Sequence, residues 1–385
     1  MTLESHGNRG VTVAHTAEGE AVLVSFGIPG EEVVVAIDRA HKDHLQAHVV
    51  EVLSPSPDRV PPLCPYFGAC GGCNFQHIAY ERQLALKREV VAETLQRIGR
   101  FSDVAVLPTI ASPSPWFYRN QARFSTNRWG EVGFTRRMSS HVLRIDTCCI
   151  LDPAVRDTLP ALQGHGAGLH QIVVRAGVNT GERLIAPDMT DRGVAVPSGQ
   201  ESLSEIVAGQ RFTISPSAFF QVNTAQAENM ARLVRERLAL DADDVLADLY
   251  AGVGFFSKIL AADCRAVVAV EVSRQAADDA ARNLAGIENV RYCLGEVEQA
   301  LPALAEPPTK ILLDPSREGC TPAAVEAMLA CAPVRIVYVS CDAATLARDL
   351  RRLVDGGYVL REVQPLDMFP QTFHVECIAT LTRAD

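Results

Sequence analysis

The chain has 385 residues, 48% of them apolar and 21% charged, with a formal net charge of −10. That length exceeds one ordinary core and predicts two or three domains, with the balance of a soluble globular protein. No run of eighteen apolar residues occurs and the N-terminus lacks a charged-then-apolar leader, so neither a membrane span nor a signal peptide is expected. A cytoplasmic protein follows, in which the eleven cysteines read as thiols, metal ligands or catalytic groups rather than disulfides.

The charge is unevenly spread. Residues 1–60 carry four Lys/Arg against nine Asp/Glu, whereas residues 61–150 carry eleven against six. A nucleic-acid surface is therefore expected on the middle segment.

Residues 11–54 alternate apolar and polar positions between glycine- and proline-marked turns, which predicts a small five-stranded barrel of the OB type. SPSPDRVPPL then reads as a linker. Cys64, Cys70 and Cys73 follow as C-x5-C-x2-C, with Gly71-Gly72 allowing a tight wrap, and Cys148-Cys149 offer a fourth thiolate. Spacing alone fits [4Fe–4S] or Zn(II) equally. A helical pattern runs from Ala79 to Ile98, and strands and loops fill residues 105–205. There Arg119, Gln121 and Arg123 would share one strand face. Arg128, Arg136 and Arg137 extend the basic character, and Trp116, Phe117 and Trp129 offer stacking surfaces. A solvated face with a packed back is the plainer reading of that stretch.

From Phe212 onward helix and strand patterns alternate. AFFQVNTAQAENMARLVRERLAL reads as helical, and VLADLY, AVVAVEV, KILLDP and IVYVSC are short β-rich runs separated by helices. This predicts a parallel, doubly wound α/β sheet. Asp248-Leu-Tyr250-Ala-Gly252-Val-Gly254 closes one strand and opens a helix, where glycines let the backbone approach a ligand. Glu271 ends the next strand, placed to accept two ribose hydroxyls, and the absence of G-x-G-x-x-G argues against a dinucleotide. Tyr250 could pack on the ligand or belong to the core; its spacing leaves both open.

Cys341 follows the strand IVYVS and precedes a helix starting near Ala343, a helix N-terminus expected to lower a thiol's pKa. Glu376 lies in the apolar strand HVECIATL, where burial would raise its pKa toward the range useful for proton abstraction. Asp314 in LLDPSREG sits at another strand's carboxyl end. A thiol and a carboxylate base downstream of an S-adenosylmethionine (SAM) type turn predict methylation of uracil C5. Cys341 would add to C6, and Glu376 would take the C5 proton.

Together these segments resemble the RNA (uracil-5-)methyltransferase family over nearly the whole chain. The N-terminal strands are similar to its OB-type TRAM module and CPYFGACGGCNFQH to its iron–sulfur motif. SPSAFFQVN, DLYAGVGFFS, LDPSREG, VSCDAATLARDL and FPQTFHVE follow in the family's order. The resemblance implies a class I SAM-dependent methyltransferase domain (206–385, doubly wound and Rossmann-like), a TRAM domain (1–57) and a central β-rich domain with an iron–sulfur cluster (58–205). It implies Cys341 as nucleophile and Glu376 as base. Gln221, Tyr250, Glu271 and Asp314, with Gly252 of the turn, would surround SAM and the target base. Cys64, Cys70, Cys73 and Cys148 would hold [4Fe–4S], leaving Cys149 spare. The implied partner is a structured RNA, 23S rRNA first and tRNA as the alternative, bound by a monomer without membrane association.

The chain also departs from the family pattern. Asp342-Ala343 replaces the common Asn-Pro after the nucleophile, Gln371 stands where His is frequent, and Ser316, Ala251 and Phe255 replace Pro, Cys and Asn. These departures leave the RNA target open and keep alive a non-catalytic RNA-binding iron–sulfur protein with a decayed site.

Overall fold

Four runs, Val245–Leu249, Ala266–Glu271, Lys310–Leu313 and Arg335–Ser340, are mostly apolar and mostly buried. Strands covered on both faces by crossover helices need that pattern. The computed structural model, which describes residues 1–384, places them in an eight-stranded sheet. Its order is Val290–Leu294, Ala266–Glu271, Val245–Leu249, Lys310–Leu313, Arg335–Ser340, Glu376–Arg383, Tyr358–Leu366 and Ala105–Val106. The first five strands run parallel. Glu376–Arg383 is antiparallel to both of its neighbours. The order reverses beside Val245–Leu249, and at such a switch point ligands bind beyond the strands' carboxyl ends.

The connecting helices start on side-chain caps. Asn223, Ser273, Thr321 and Asp342 each accept a backbone N–H of the helix that follows. The run read as one helix from Ala218 begins only at Thr224, because Asn223 caps it there and Ser217–Val222 stays irregular.

The first 54 residues form a separate five-stranded sheet around Leu3, Ala14, Val22, Val24, Val33 and Ala47. Its two edges meet through the N-terminal segment, where Leu3 N donates to Glu31 O at 2.9 Å and Val33 N to Met1 O at 2.9 Å. A second five-stranded sheet, from Gln121–Thr126 to Arg183–Ala186, has its own core around Phe124, Leu151 and Ile172. The helix Tyr80–Arg97 buries Val91 and Leu95 in the core of the eight-stranded sheet, and Ala105–Val106 extends that sheet's edge. The hairpin Leu203–Val207/Gln210–Ile214 likewise packs Val207 and Phe212 against it. Among the described residues no helix is long and apolar enough to cross a membrane.

Candidate active site

Sheet register brings the sequence's two reactive candidates to one edge. Ser340, the residue before Cys341, pairs with Cys377, the residue after Glu376. Because Glu376–Arg383 runs antiparallel, its first residue lies beside the carboxyl end of the nucleophile's strand. Glu376 is buried, and burial reinforced by Asp314 holds its carboxyl well above the usual range, against the opposing pull of Arg317. Asp314 itself is pushed up to about 7 by burial and by Asp248. Asp248 lies at about 7 for the same first reason, although Ser257 Oγ donates to it at 2.6 Å.

The expectation for Cys341 needs correction. Its thiol is pushed up to about 11, not down, by burial and by Glu376 and Asp314. The helix N-terminus is already spoken for: Asp342 Oδ1 accepts Ala344 N at 2.9 Å and Thr345 N at 3.0 Å. Arg317, which lines the same cavity as the thiol, is the cation that favours the thiolate. Sequence reading passed over Arg317, although LDPSREG put an arginine three residues after Asp314.

The glycine turn is open where a ligand would approach. Gly252 has a φ of +54° and no atom within 4 Å of a would-be Cβ. Glu271 braces the turn, accepting Gly252 N at 2.9 Å and Ser273 N at 2.7 Å. Asp314 N donates to Leu249 O at 3.3 Å, which sets its strand end beside the turn. Gln221 is buried on the segment before the capped helix, held by Asn120 Nδ2 donating to its carbonyl at 3.1 Å. Tyr250 takes a left-handed φ of +62° and turns its hydroxyl toward Cys320 in the core.

Cys341 opens onto a cavity of about 620 Å³ whose other walls include His6 of the N-terminal sheet, Arg9 of the turn that follows it, Lys87 and Phe373. A second cavity of about 420 Å³ shares Arg317 and His374 with it. Arg317 Nη2 and His374 Nδ1 stand 3.4 Å apart in that shared wall.

Comparison with known proteins places this arrangement. Residues 200–306 and 307–384 match the family described as tRNA (Uracil-5-)-methyltransferase. A protein of Gloeobacter violaceus, named an uncharacterized RNA methyltransferase, is 36% identical and aligns with 97% of this chain and 93% of its own length. One of the same description from Halalkalibacterium halodurans is 33% identical over 99% and 96%. The solved tRNA (uracil-54, C5)-methyltransferase of Pyrococcus abyssi, in complex with S-adenosyl-L-homocysteine, superposes with a TM-score of 0.78 at 26% identity, covering 99% of this chain and all of that one. The chain belongs to the RNA (uracil-5-)methyltransferase family. It is a SAM-dependent RNA methyltransferase with the class I fold.

In this methyltransferase the segment leading to Glu376 is clamped from outside its own sheet. Lys87 Nζ reaches Asp367 Oδ1 at 2.5 Å and Phe369 O at 3.1 Å. Gln371, the family departure, pairs reciprocally with Gln83: Gln83 Nε2 donates to Gln371 Oε1 at 3.0 Å, and Gln371 N donates to Gln83 Oε1 at 3.1 Å.

Cys64, Cys70, Cys73 and Cys148 all line the second cavity. Gly72 N donates to Cys70 Sγ at 3.4 Å, and burial pushes Cys73 up to about 12 and Cys148 up to about 11. Cys149 lies next to Cys64 as well. Yet among the described residues no three His, Cys, Asp or Glu side chains stand close enough together to hold a metal ion. The expected tetrad is thus gathered around one cavity without closing into a ligand set. Four thiol sulfurs, one with a backbone N–H, are donors that suit an iron–sulfur cluster and zinc alike.

Arg119, Gln121 and Arg123 border the same cavity, although only the last two lie on the strand Gln121–Thr126, and Arg119 is held by its Nε donating to Gln121 O at 3.0 Å. Trp129 is 66% exposed with the Arg128 guanidinium 4.2 Å from its ring centroid.

Proposed function

We propose that this methyltransferase converts a uridine of a structured RNA to 5-methyluridine through Cys341 and Glu376. The observation that carries the reading is their juxtaposition by register at the sheet edge that also bears the glycine turn, Glu271 and Asp314. SAM is consumed as a substrate, its sulfonium supplying an electrophilic methyl group. Cys341 as thiolate adds to C6, and the electron pair moves onto C5 and O4. C5 takes the methyl group as the S–CH3 bond breaks and S-adenosyl-L-homocysteine leaves, so that C5 becomes a saturated carbon that still bears its proton. Glu376 as carboxylate removes that proton, the C5–C6 double bond re-forms and Cys341 departs as thiolate. Arg317 offsets the thiolate's charge. The target base must leave its stack to reach a buried sulfur.

Gln221, Tyr250, Gly252, Glu271 and Asp314 are assigned to SAM and the base, Tyr250 acting through the turn's conformation because its hydroxyl faces the core. Cys64, Cys70, Cys73 and Cys148 would hold a [4Fe–4S] cluster that shapes the surface beside the active site and takes no part in methyl transfer. The N-terminal sheet is assigned as the TRAM module, residues 1–57, with 58–205 as the central domain and 206–385 as the catalytic domain. The leading target is 23S rRNA and the protein acts as a cytoplasmic monomer. A second reading, tRNA, draws support from the full-length similarity to the Pyrococcus abyssi tRNA enzyme.

The test is methyl transfer from labelled SAM to ribosomal and transfer RNA, with wild type, Cys341→Ala and Glu376→Gln side by side. Incorporation at a defined uridine by wild type alone, with a covalent RNA adduct accumulating in Glu376→Gln, is expected. Full incorporation by Cys341→Ala would sink the mechanism.

A further inference from the structure

One buried carboxylate outside the reacting set joins four parts of the site. Asp349 is fully buried on the helix Ala343–Asp355, which starts two residues after the nucleophile. Its Oδ2 accepts Cys320 N at 2.8 Å and Tyr338 Oη at 3.0 Å, and its Oδ1 accepts Arg348 Nε at 2.8 Å. Tyr338 belongs to the strand that ends at Ser340, so this contact ties the nucleophile's strand to its helix. Cys320 closes the loop that begins at Asp314 and carries Arg317. Tyr250 of the glycine turn packs against the same buried cluster as Cys320.

The loop is held against Asp349 at more than one point. Arg348 Nη2 donates to Glu318 O at 2.8 Å and Cys320 O at 3.3 Å, and Thr345 Oγ1 donates to Arg317 O at 3.1 Å. Gly319 has a φ of +72°, and a Cβ there would fall 2.4 Å from Asp349 Oδ2. The backbone therefore presses directly on the carboxylate, an approach only glycine permits. A buried carboxylate is costly unless its lone pairs are filled, and here they are filled by groups from the loop, the strand and the helix.

We propose that Asp349 is a positioning residue for methyl transfer: its carboxylate locks the Asp314–Cys320 loop and thereby holds Arg317 in the wall of the cavity that Cys341 lines. It touches no reacting atom. Cys341 is faced by Glu376 from the antiparallel strand and by Asp314 and Arg317 from this loop, with Asp342 next in the chain and His374 beyond Arg317. His6, Arg9 and Lys87 line the same cavity from other elements, and Arg317 is the cation that this loop supplies, so loosening the loop withdraws its share of the charge that stabilises the thiolate.

The inference rests on the uracil reading for its purpose, but its test needs no RNA. The pH dependence of Cys341 alkylation by iodoacetamide is followed in the full-length protein, peptide by peptide, by mass spectrometry. Asp349→Asn should move the curve to higher pH and slow alkylation near pH 8 roughly three- to tenfold, since rate follows thiolate fraction. Leu353→Ala, a buried truncation on the same helix, should lower the melting temperature and leave the curve in place. Arg348→Ala should shift it in the same direction as Asp349→Asn, and it decides the matter if that variant does not fold. Curves for Asp349→Asn and Arg348→Ala that superpose on wild type, or an equal shift in Leu353→Ala, would overturn the assignment. Failure of RNA methylation with the curves displaced would instead count against the uracil reading alone.

Discussion

Asp367→Asn tests the clamp that carries Glu376. Asp367 and Lys87 are buried, with side-chain exposures of 0% and 1%, and their atoms are 2.5 Å apart. Tyr80 Oη also donates to Asp367 Oδ2 at 2.8 Å. Replacing the carboxylate by an amide keeps the shape but leaves a buried ammonium facing a neutral group. Breaking one partner of a buried pair costs about 3–5 kcal/mol. The loss should depend on pH with a definite sign. Burial already depresses Lys87, and Asp367 is what opposes that depression. In the variant the folded state binds fewer protons than the unfolded one, so its stability rises with pH. The deficit should be greatest near neutrality and shrink as pH climbs from the depressed folded value toward the ordinary 10.5. Hydrogen exchange of the Tyr80–Arg97 amides measures the local opening free energy without assuming that the whole chain unfolds at once. A deficit below about 1 kcal/mol, or one unchanged between about pH 6 and about pH 9.5, would refute the argument.

Two further outcomes follow from the site. SAM carries a sulfonium that S-adenosyl-L-homocysteine lacks, and Asp248 and Asp314 both lie at about 7. A cation favours their ionised forms, so the ratio of SAM to S-adenosyl-L-homocysteine affinity should rise roughly tenfold between pH 6 and pH 8; calorimetry showing a flat ratio would remove these carboxyls from the binding site. Cys73→Ser should abolish bound iron and sulfide while Cys149→Ser keeps both, and zinc in place of iron in the wild type would refute the cluster.

The parallel sheet was legible because its central strands are continuous apolar runs and their turn residues stand at fixed places. Val290–Leu294 was not, because an edge strand half open to solvent reads VRYCL, without the buried pattern. Ala105–Val106 was also invisible, since two residues carry no periodicity and their pairing with Tyr358–Leu366 is set by the long-range fold. At the site, residue types announced Cys341 and Glu376, but not the sign of the thiol's shift. Helix position argued for a lowered value. Burial and two carboxyls, which come from other strands, outweighed it. Arg317 was missed for the same reason: an arginine after a turn gains meaning only when the fold aims it at a sulfur.

The departures from the family pattern bear on whether the site has decayed. A decaying site loses partners, leaving polar groups orphaned. Here the polar side chains of Asp342 and Gln371 have theirs. Asp342 satisfies two N–H groups of the helix it caps, whereas Ser316 contributes only its backbone carbonyl, which accepts Gly319 N at 2.9 Å and closes the turn as any residue there would. Phe255 packs its ring within 5.6 Å of Phe212, Phe220 and Phe256. Gln371 holds a left-handed φ of +69°, a strained conformation that persists only when its surroundings fix it. Its reciprocal amide bonds with Gln83, with Asn74 N and Phe75 N each 3.0 Å from its carbonyl, do so. The polar side chains at the altered positions beside Cys341 and Glu376 thus stand on partners of their own, as the proposed active site requires.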